Sequence, residues 1–383
     1  MRILFTFIGG LGHFHPLAPV ARAAASAGHD VAVAGSGGLV AHVAAAGFRT
    51  FATSAPRATA AAPTQRDKTS LVPVDMRSAE IEFAENFANK GARRHATAIQ
   101  QHIRAWRPDV VVRDEADLGS AVAAEVLGIP TATVLVLAAG MLVRPDLVAA
   151  PLATLRAEHG LPSDPGLAML TRGLVLSPFP PSFRSPASPV PIPETAFAFR
   201  PDNRVPIAPR SSRKRVYVTL GTVFNSGSSD LFERILAGMA GIDADVVVTV
   251  GQDIDPADFG VQPDHVRIER FIPQEEVLRD TDLVVSHGGS GSLIATLAHG
   301  LPSVLLPLGA DQPHNALRAE ELGLARSLDA ATATPETIRQ SVSEGLDDQG
   351  ALERARRVAD EIDGLPGVEE TVRLLEALHA ATS

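Results

Sequence analysis

Short apolar runs without polar alternation recur along this chain, and each gives way to a stretch of helical periodicity. "RILFTFI" leads through "GGLGHFHP" to "PLAPVARAAASAG", where Pro16 suits a first helical turn and Gly28 its stop. "DVAVAG", the helical "GLVAHVAAAG" and the strand "FRTFA" come next. A polar, irregular stretch from 54 to 78 precedes a long helical segment ending at Trp106, after which "DVVV", the helix "LGSAVAAEVLG" and "TATVLVL" repeat the beat. A strand with one wet face alternates in polarity. One that does not alternate is covered on both faces, the condition of a parallel sheet with helices on either side. The expected class is α/β.

One such layer does not account for 383 residues, because a single core stops growing before that length. Prolines crowd the stretch from 178 to 212, a density no helix or long central strand survives, and this marks an interdomain connection. Beyond it the alternation restarts with "RVYVTL", a helix near 229–240, "DVVVTV", "VRIE", "DLVVS", a helix after Gly291, "PSVLLP" and a helix after Gln312. The reading is two doubly wound units: 1–200, a linker at 201–213, and 214–365. "DGLPG" at 363–367 sets off a terminal helix, 366–383, able to pack back on the N-terminal domain.

Composition removes several partners. A net charge of -10 argues against a phosphate-backbone ligand, and the one dense basic run, "RSSRKR" at 210–215, falls at the linker. With no cysteine there is no disulfide, zinc thiolate or cysteine nucleophile. The run "TATVLVLAAGMLV" from 131 to 143 is shorter than the ~20 residues that span a bilayer. The first residues lack a signal-peptide profile, so a soluble, cytoplasmic protein is expected. A homodimer is left open.

Two glycine clusters follow strands. In "GGLGHFHP", Gly10 and Gly12 fit the first two positions of a dinucleotide fingerprint, but His15 stands where the third glycine belongs. The second cluster, "HGGSGS" after "DLVVS", opens a helix. Its small residues let backbone approach an anion, N–H groups and the helix dipole stabilise the charge, and Ser290, Ser292 and His287 add donors. No lysine follows the glycines, which argues against a P-loop. The carboxylate groups "DEAD" at 114–117 and "DID" at 253–255 read as solvated or indirect rather than as metal sites. In open α/β sheets function collects at the carboxyl ends of strands, which puts His13 and Asp114 within reach of one crevice.

Residues 270–325, "RFIPQEEVLRDTDLVVSHGGSGSLIATLAHGLPSVLLPLGADQPHNALRAEELGLA", resemble the nucleotide-sugar signature of family 1 glycosyltransferases, in the flavour of bacterial enzymes that decorate natural products. "GHFHP", "RPDVVVRD" and "TLGTVFN" extend the resemblance in the family's order. It implies the GT-B architecture, two facing Rossmann-like domains with the site in the cleft between them. It also implies that Phe271 stacks on the base, Ile272 meets the base edge through its backbone, and Gln274 belongs to the same motif. His287, Gly289, Ser290, Gly291 and Ser292 would hold the diphosphate, with Thr222 nearby. Asp311 and Gln312, the first of them 24 residues after His287, would hold the sugar hydroxyls, and Asn315 would shape that loop. Relatives that use UDP-sugars commonly carry a Glu for the ribose eight residues after the signature histidine. Ala295 stands there in this chain, which points to a dTDP-sugar donor over a UDP-sugar.

The family's G-H-x-x-P context selects His13 over His15 as general base, and its acidic partner after the "PDVVV" strand selects Asp114, with Glu115 and Asp117 as alternatives if the strand ends later. His15 is expected to bond loop backbone, and Gly12 and Phe14 to face the acceptor. The implied reaction is an inverting, metal-independent transfer of a sugar to a hydroxyl of a polyketide, macrolide or other aglycone, with no cofactor beyond the donor. Competing readings are a sugar-nucleotide epimerase of the same architecture and a non-catalytic partner of another glycosyltransferase.

Overall fold

In the computed structural model, which describes residues 1–55, 71–201, 213–221, 228, 230–252 and 254–382, the unalternated runs become strands covered on both sides. β1 (Arg2–Thr6) is followed by a one-turn helix α1 (Leu11–Phe14), α2 (Ala18–Ser26), β2 (Asp30–Gly35), α3 (Val40–Ala45) and β3 (Arg49–Ala52). Then come α4 (Met76–Phe83), a π-helix over Ala84–Gly91, α5 (Ala92–Trp106), β4 (Val110–Asp114), α6 (Leu118–Val126), β5 (Thr131–Val134), α7 (Pro145–Glu158), β6 (Leu174–Ser177) and β7 (Phe197–Ala198). All seven strands are parallel, in the order β3-β2-β1-β4-β5-β6-β7, with Ile3 opposite both Val31 and Val110. Every residue of β4 is buried, so its run of valines has no wet face to alternate with. α5 turns Ala92, His95, Ala96, Ile99, Gln100 and Ile103 inward at helical spacing, and ends where Arg107 takes a left-handed conformation before Pro108.

The chain falls into two compact units, and among the described residues the first comprises 1–55, 77–201 and 364–382. Two expectations change here. The "TATVLVL" strand stops at Val134, and Leu135 to Ala139 continue as buried chain without strand pairing. The proline-rich stretch as far as 201 is part of the first unit rather than a connection: Phe183 and Phe199 are fully buried, Pro181 opens a short helical turn, and the edge strand β7 forms in the proline-free run 194–200. Residues 202–212 lie outside the described residues.

The second unit holds residues 71–76 and the described residues between 213 and 363. Its elements are β8 (Arg215–Thr219), α8 (Leu231–Met239), β9 (Asp245–Thr249), β10 (Val266–Glu269), α9 (Gln274–Leu278), β11 (Leu283–Ser286), α10 (Ser290–Ala298), β12 (Ser303–Leu305), α11 (Gln312–Glu321), β13 (Ala325–Ser327), α12 (Pro335–Asp347) and α13 (Gln349–Asp363). Six parallel strands run in the order β10-β9-β8-β11-β12-β13. The last helix, α14 (Glu369–Ala380), belongs to the first unit. Val368, Val372 and Leu375 enter that core, and Glu376 reaches His29 at 3.1 Å. No helix among the described residues is long and apolar enough to cross a membrane.

Each sheet reverses its strand order once: β1 neighbours both β2 and β4, and β8 neighbours both β9 and β11. The loops leaving such a pair of strands diverge to opposite faces and open a crevice at their carboxyl ends. β1 leads into "GGLGH", β4 ends in Asp114, β8 leads into Leu220 and Gly221, and β11 into "HGGSGS".

Candidate active site

The chain leaves β1 and turns at Gly9, whose φ of +89° suits glycine. A Cβ there would stand 3.1 Å from His13 Cδ2, so the glycine is also the floor of the imidazole. Gly10 is the extended residue that starts α1, while Gly12 is exposed and faces open space. His13 therefore rides on a helical turn rather than an open loop, because Gly10 lets the backbone begin α1 well before Pro16. Phe14, expected to meet the acceptor, instead points into the core at 2% exposure, against Phe7 and Phe48. Adjacent positions on a helical turn face different ways, so with His13 half-buried beside Asp114 its neighbour turns inside. His15 turns toward His42, with ring centroids 6.4 Å apart.

His13 Nδ1 lies 3.5 Å from Oδ1 of Asp114, the fully buried last residue of β4. Asp114 is fixed from three sides: its Oδ2 accepts from Ile8 N at 2.8 Å, and its Oδ1 from Ala116 N at 2.5 Å and Asp117 N at 2.9 Å. The neighbouring carboxylates are committed elsewhere. Glu115 accepts from the amides of Val136 and Leu137, both at 3.1 Å, and from Arg184 at 3.0 Å. Asp117 caps α6 through Ser120 and meets His95 Nδ1 at 3.1 Å, while His95 Nε2 lies 2.9 Å from Thr53 Oγ1. Burial by itself would raise the Asp117 carboxyl, but the His95 charge and the His95 and Ser120 hydrogen bonds outweigh it and hold the group at about 2. Burial likewise pushes His95 down, and Asp117 outweighs that, leaving it raised. "DEAD" is thus a buried hub and not a solvated patch, completed by the fully buried Arg113, which donates to the carbonyls of Asp114, Glu115, Met169 and Leu170.

Sequence reading missed one neighbour of His13. Phe87, on the π-helix, stacks on its ring with centroids 5.5 Å apart and planes 19° apart, and Phe83 stacks on Phe87 at 4.8 Å and 13°. The signal was "FAENF", two aromatics four residues apart.

In the second unit β11 runs into His287, then Gly288 with φ +80°, then the extended Gly289 that starts α10. The His287 ring lies against two glycines: a Cβ on Gly221 would come within 2.7 Å of it, and one on Gly289 within 2.6 Å. Burial pushes this imidazole down to about 4, so it is neutral at neutral pH. Its Nδ1 meets no hydrogen-bond partner among the described residues. Leaving such a group unpaired costs on the order of 1–3 kcal/mol. The first turn of α10 adds N–H groups of Ser290, Gly291 and Ser292 that have no acceptor within the helix, and Gly291 faces open space.

The loop before α11 closes on this turn. Ser290 Oγ donates to Asp311 at 2.5 Å, and Asn315 Nδ2 reaches Asp311 at 2.8 Å, Ser290 at 3.1 Å and the Gly288 carbonyl at 3.0 Å. Gln312 is 2% exposed, its side-chain carbonyl accepting from Leu308 N at 2.7 Å. On the other side, Gln274 donates to Ser292 Oγ at 2.9 Å, Ile272 and Ala295 pack on one apolar cluster, and Phe271 is 55% exposed. The structure thus brings Gln274, His287, Gly289, Ser290, Gly291, Ser292, Asp311 and Gln312 together around the start of α10, with Ile272 on the apolar cluster that also holds Ala295; Phe271 is exposed, and Thr222 and Asp253 lie outside the described residues. Asp255 caps a short helical turn and pairs with Arg270 at 2.9 Å.

The first unit thus presents a histidine beside a fixed carboxylate at its switch point, and the second a helix N-terminus opened by glycines at its own. Residues 233–378 match the family described as Erythromycin biosynthesis protein CIII-like, C-terminal domain. The 3-alpha-mycarosylerythronolide B desosaminyl transferase of Saccharopolyspora erythraea is 27% identical over 99% of each chain. The NDP-glycosyltransferase YjiC of Bacillus licheniformis is 30% identical over 47% of this chain, a match that spans 45% of that relative's length. The structure of the spinosyn rhamnosyltransferase SpnG complexed with thymidine diphosphate superposes with a TM-score of 0.79 at 26% identity, covering 98% of this chain and 100% of that one. The fold is that of the GT-B glycosyltransferases, and the relatives and solved structures this chain resembles are natural-product glycosyltransferases.

Proposed function

We propose that this protein moves a sugar, a deoxysugar by preference, from a dTDP-sugar to a hydroxyl of a small natural-product aglycone, with inversion at the anomeric carbon. In this reading His13 Nε2 takes the proton of the acceptor hydroxyl. Asp114, behind Nδ1, holds the tautomer and stabilises the imidazolium that forms. The observation that carries it is the 3.5 Å approach of His13 to a carboxylate held by three backbone amides, while Glu115 and Asp117 are both committed to other cations. The leaving diphosphate would be received by the first turn of α10 and by His287, so the reading assigns its charge to the protein's own groups rather than to a metal.

The dTDP preference rests on Ala295, which packs on the same apolar cluster as Ile272 and offers no carboxylate for a 2′-hydroxyl. Thymidine diphosphate in the spinosyn enzyme is in keeping with it. Incubation with dTDP- and UDP-sugars and a panel of aromatic polyketide and macrolide aglycones, followed by product mass and anomeric coupling, tests the proposal. Aglycone-dependent product of inverted configuration is expected. A changed sugar nucleotide in the absence of aglycone would instead mark an epimerase.

A further inference from the structure

The stretch Ala84–Gly91 is a π-helix between two α-helices, an uncommon geometry that concentrates at functional sites. It is packed tightly from below: a Cβ on Gly91 would overlap the Asn86 carbonyl oxygen and stand 2.8 Å from Ile8 Cδ1, on the loop that leaves β1. The result on its other side is a column of three rings, Phe83 on Phe87 on His13. A Cβ on Gly9 would meet His13 at 3.1 Å and Phe87 Cε1 at 3.4 Å, so glycine at this turn is what lets ring and imidazole close together. Asp114 approaches the imidazole at one atom, Nδ1, at 3.5 Å, a single contact that does not by itself fix the plane of the ring. A flat ring against the imidazole face removes this freedom.

We propose that Phe87 is a positioning residue for His13: it holds the imidazole plane so that Nε2 is aimed at the acceptor hydroxyl, and its ring face stabilises the imidazolium formed when the proton arrives. The inference rests on the reading of His13 as general base. The centroid separation of 5.5 Å is within the ~6 Å over which a cation is drawn to an aromatic face. Among the described residues, the charged groups on the elements around His13 include Asp114 on β4; Glu115 and Asp117 after it, paired with Arg184 and His95; Glu85 and Lys90 on the π-helix, paired with each other; and His15 with His42 beyond α1. None of these is altered by a change at Phe87.

The test replaces Phe87→Leu and follows two quantities: the titration of the His13 ring proton by NMR, and kcat and KM for an accepted aglycone across pH. The expected result is an imidazole midpoint lowered by about half a pH unit, the scale of one partly exposed cation–π contact. With it, kcat should fall about fivefold to tenfold with aglycone KM within about twofold, as for a lost orientation effect. Phe87→Tyr, which keeps the ring face, should restore both. Should the leucine variant not fold, Phe87→Trp serves, with a stronger ring face that must move the midpoint upward. An unchanged midpoint overturns the proposal, as does a rise in aglycone KM with kcat intact, which would make Phe87 an acceptor contact. The NMR titration needs no turnover. Full activity in His13→Ala would therefore sink the general-base reading on its own, whatever the midpoint does.

Discussion

At the β1–β4 switch point of the first unit two polar side chains meet, His13 and Asp114, and the glycine beside them serves to let the imidazole in. At the β8–β11 switch point of the second unit the same parallel topology is used in the opposite way. There two glycines flank one buried imidazole, and backbone N–H groups rather than side chains point outward. A histidine beside a fixed carboxylate can become positive, which is what a proton acceptor needs. A histidine held neutral by burial, at about 4, stays a hydrogen-bonding group and brings no charge of its own. The lesson is that a doubly wound layer fixes where a site lies, and the residues packed behind each histidine fix what it does.

The largest expected effect falls on what supports the first site from behind. His95→Ala leaves Asp117 buried and without its cation, and should destabilise the first unit by about 3–5 kcal/mol, read by chemical denaturation. The sign with pH follows from both partners. His95 is raised above 6.5 in the folded chain, so its contribution is complete below that pH and is lost as pH rises through the folded value. Asp117 is depressed from 3.8 to about 2, so its contribution is present above 3.8 and lost as pH falls toward 2. The gap between wild type and variant should be widest between these limits, and a gap that does not vary with pH would contradict the charged pair.

Next in size is Asp114→Asn. Transfer should drop about a hundredfold, the scale of a disabled general base, while dTDP affinity stays within about twofold by calorimetry. Gly289→Val tests the other half. Its side chain would meet the His287 ring, and dTDP should bind about tenfold more weakly, with the His13 ring titration unchanged. The smallest effect is Ala295→Glu, which should shift the binding ratio from dTDP toward UDP by roughly threefold to tenfold, about one hydrogen bond's worth of discrimination. A ratio that does not move would remove the ribose argument while leaving the rest standing.

The strand and helix order was largely legible because parallel strands covered on both faces have a composition of their own. The cradle was legible because glycines, serines and a helix start are contiguous in "HGGSGS". What could not be read depended on side-chain direction. Phe14 and His13 are neighbours in sequence, yet one is in the core and the other beside a carboxylate. Choosing among Asp114, Glu115 and Asp117 required the partners of the other two, Arg184 and His95, which are distant in sequence. Phe87 reaches His13 from a π-helix whose register no periodicity announces. Prolines misled in one place, since a short helical turn accepts one at its start and the edge strand forms in the gap between them.

The division of labour between the two switch points is tested most directly by one paired measurement on His13→Ala: the rate of sugar transfer and the dissociation constant for dTDP. The account predicts transfer lowered by at least about a hundredfold with dTDP binding changed by less than about twofold. Transfer at the wild-type rate, or a loss of dTDP affinity equal to the loss of rate, would contradict it.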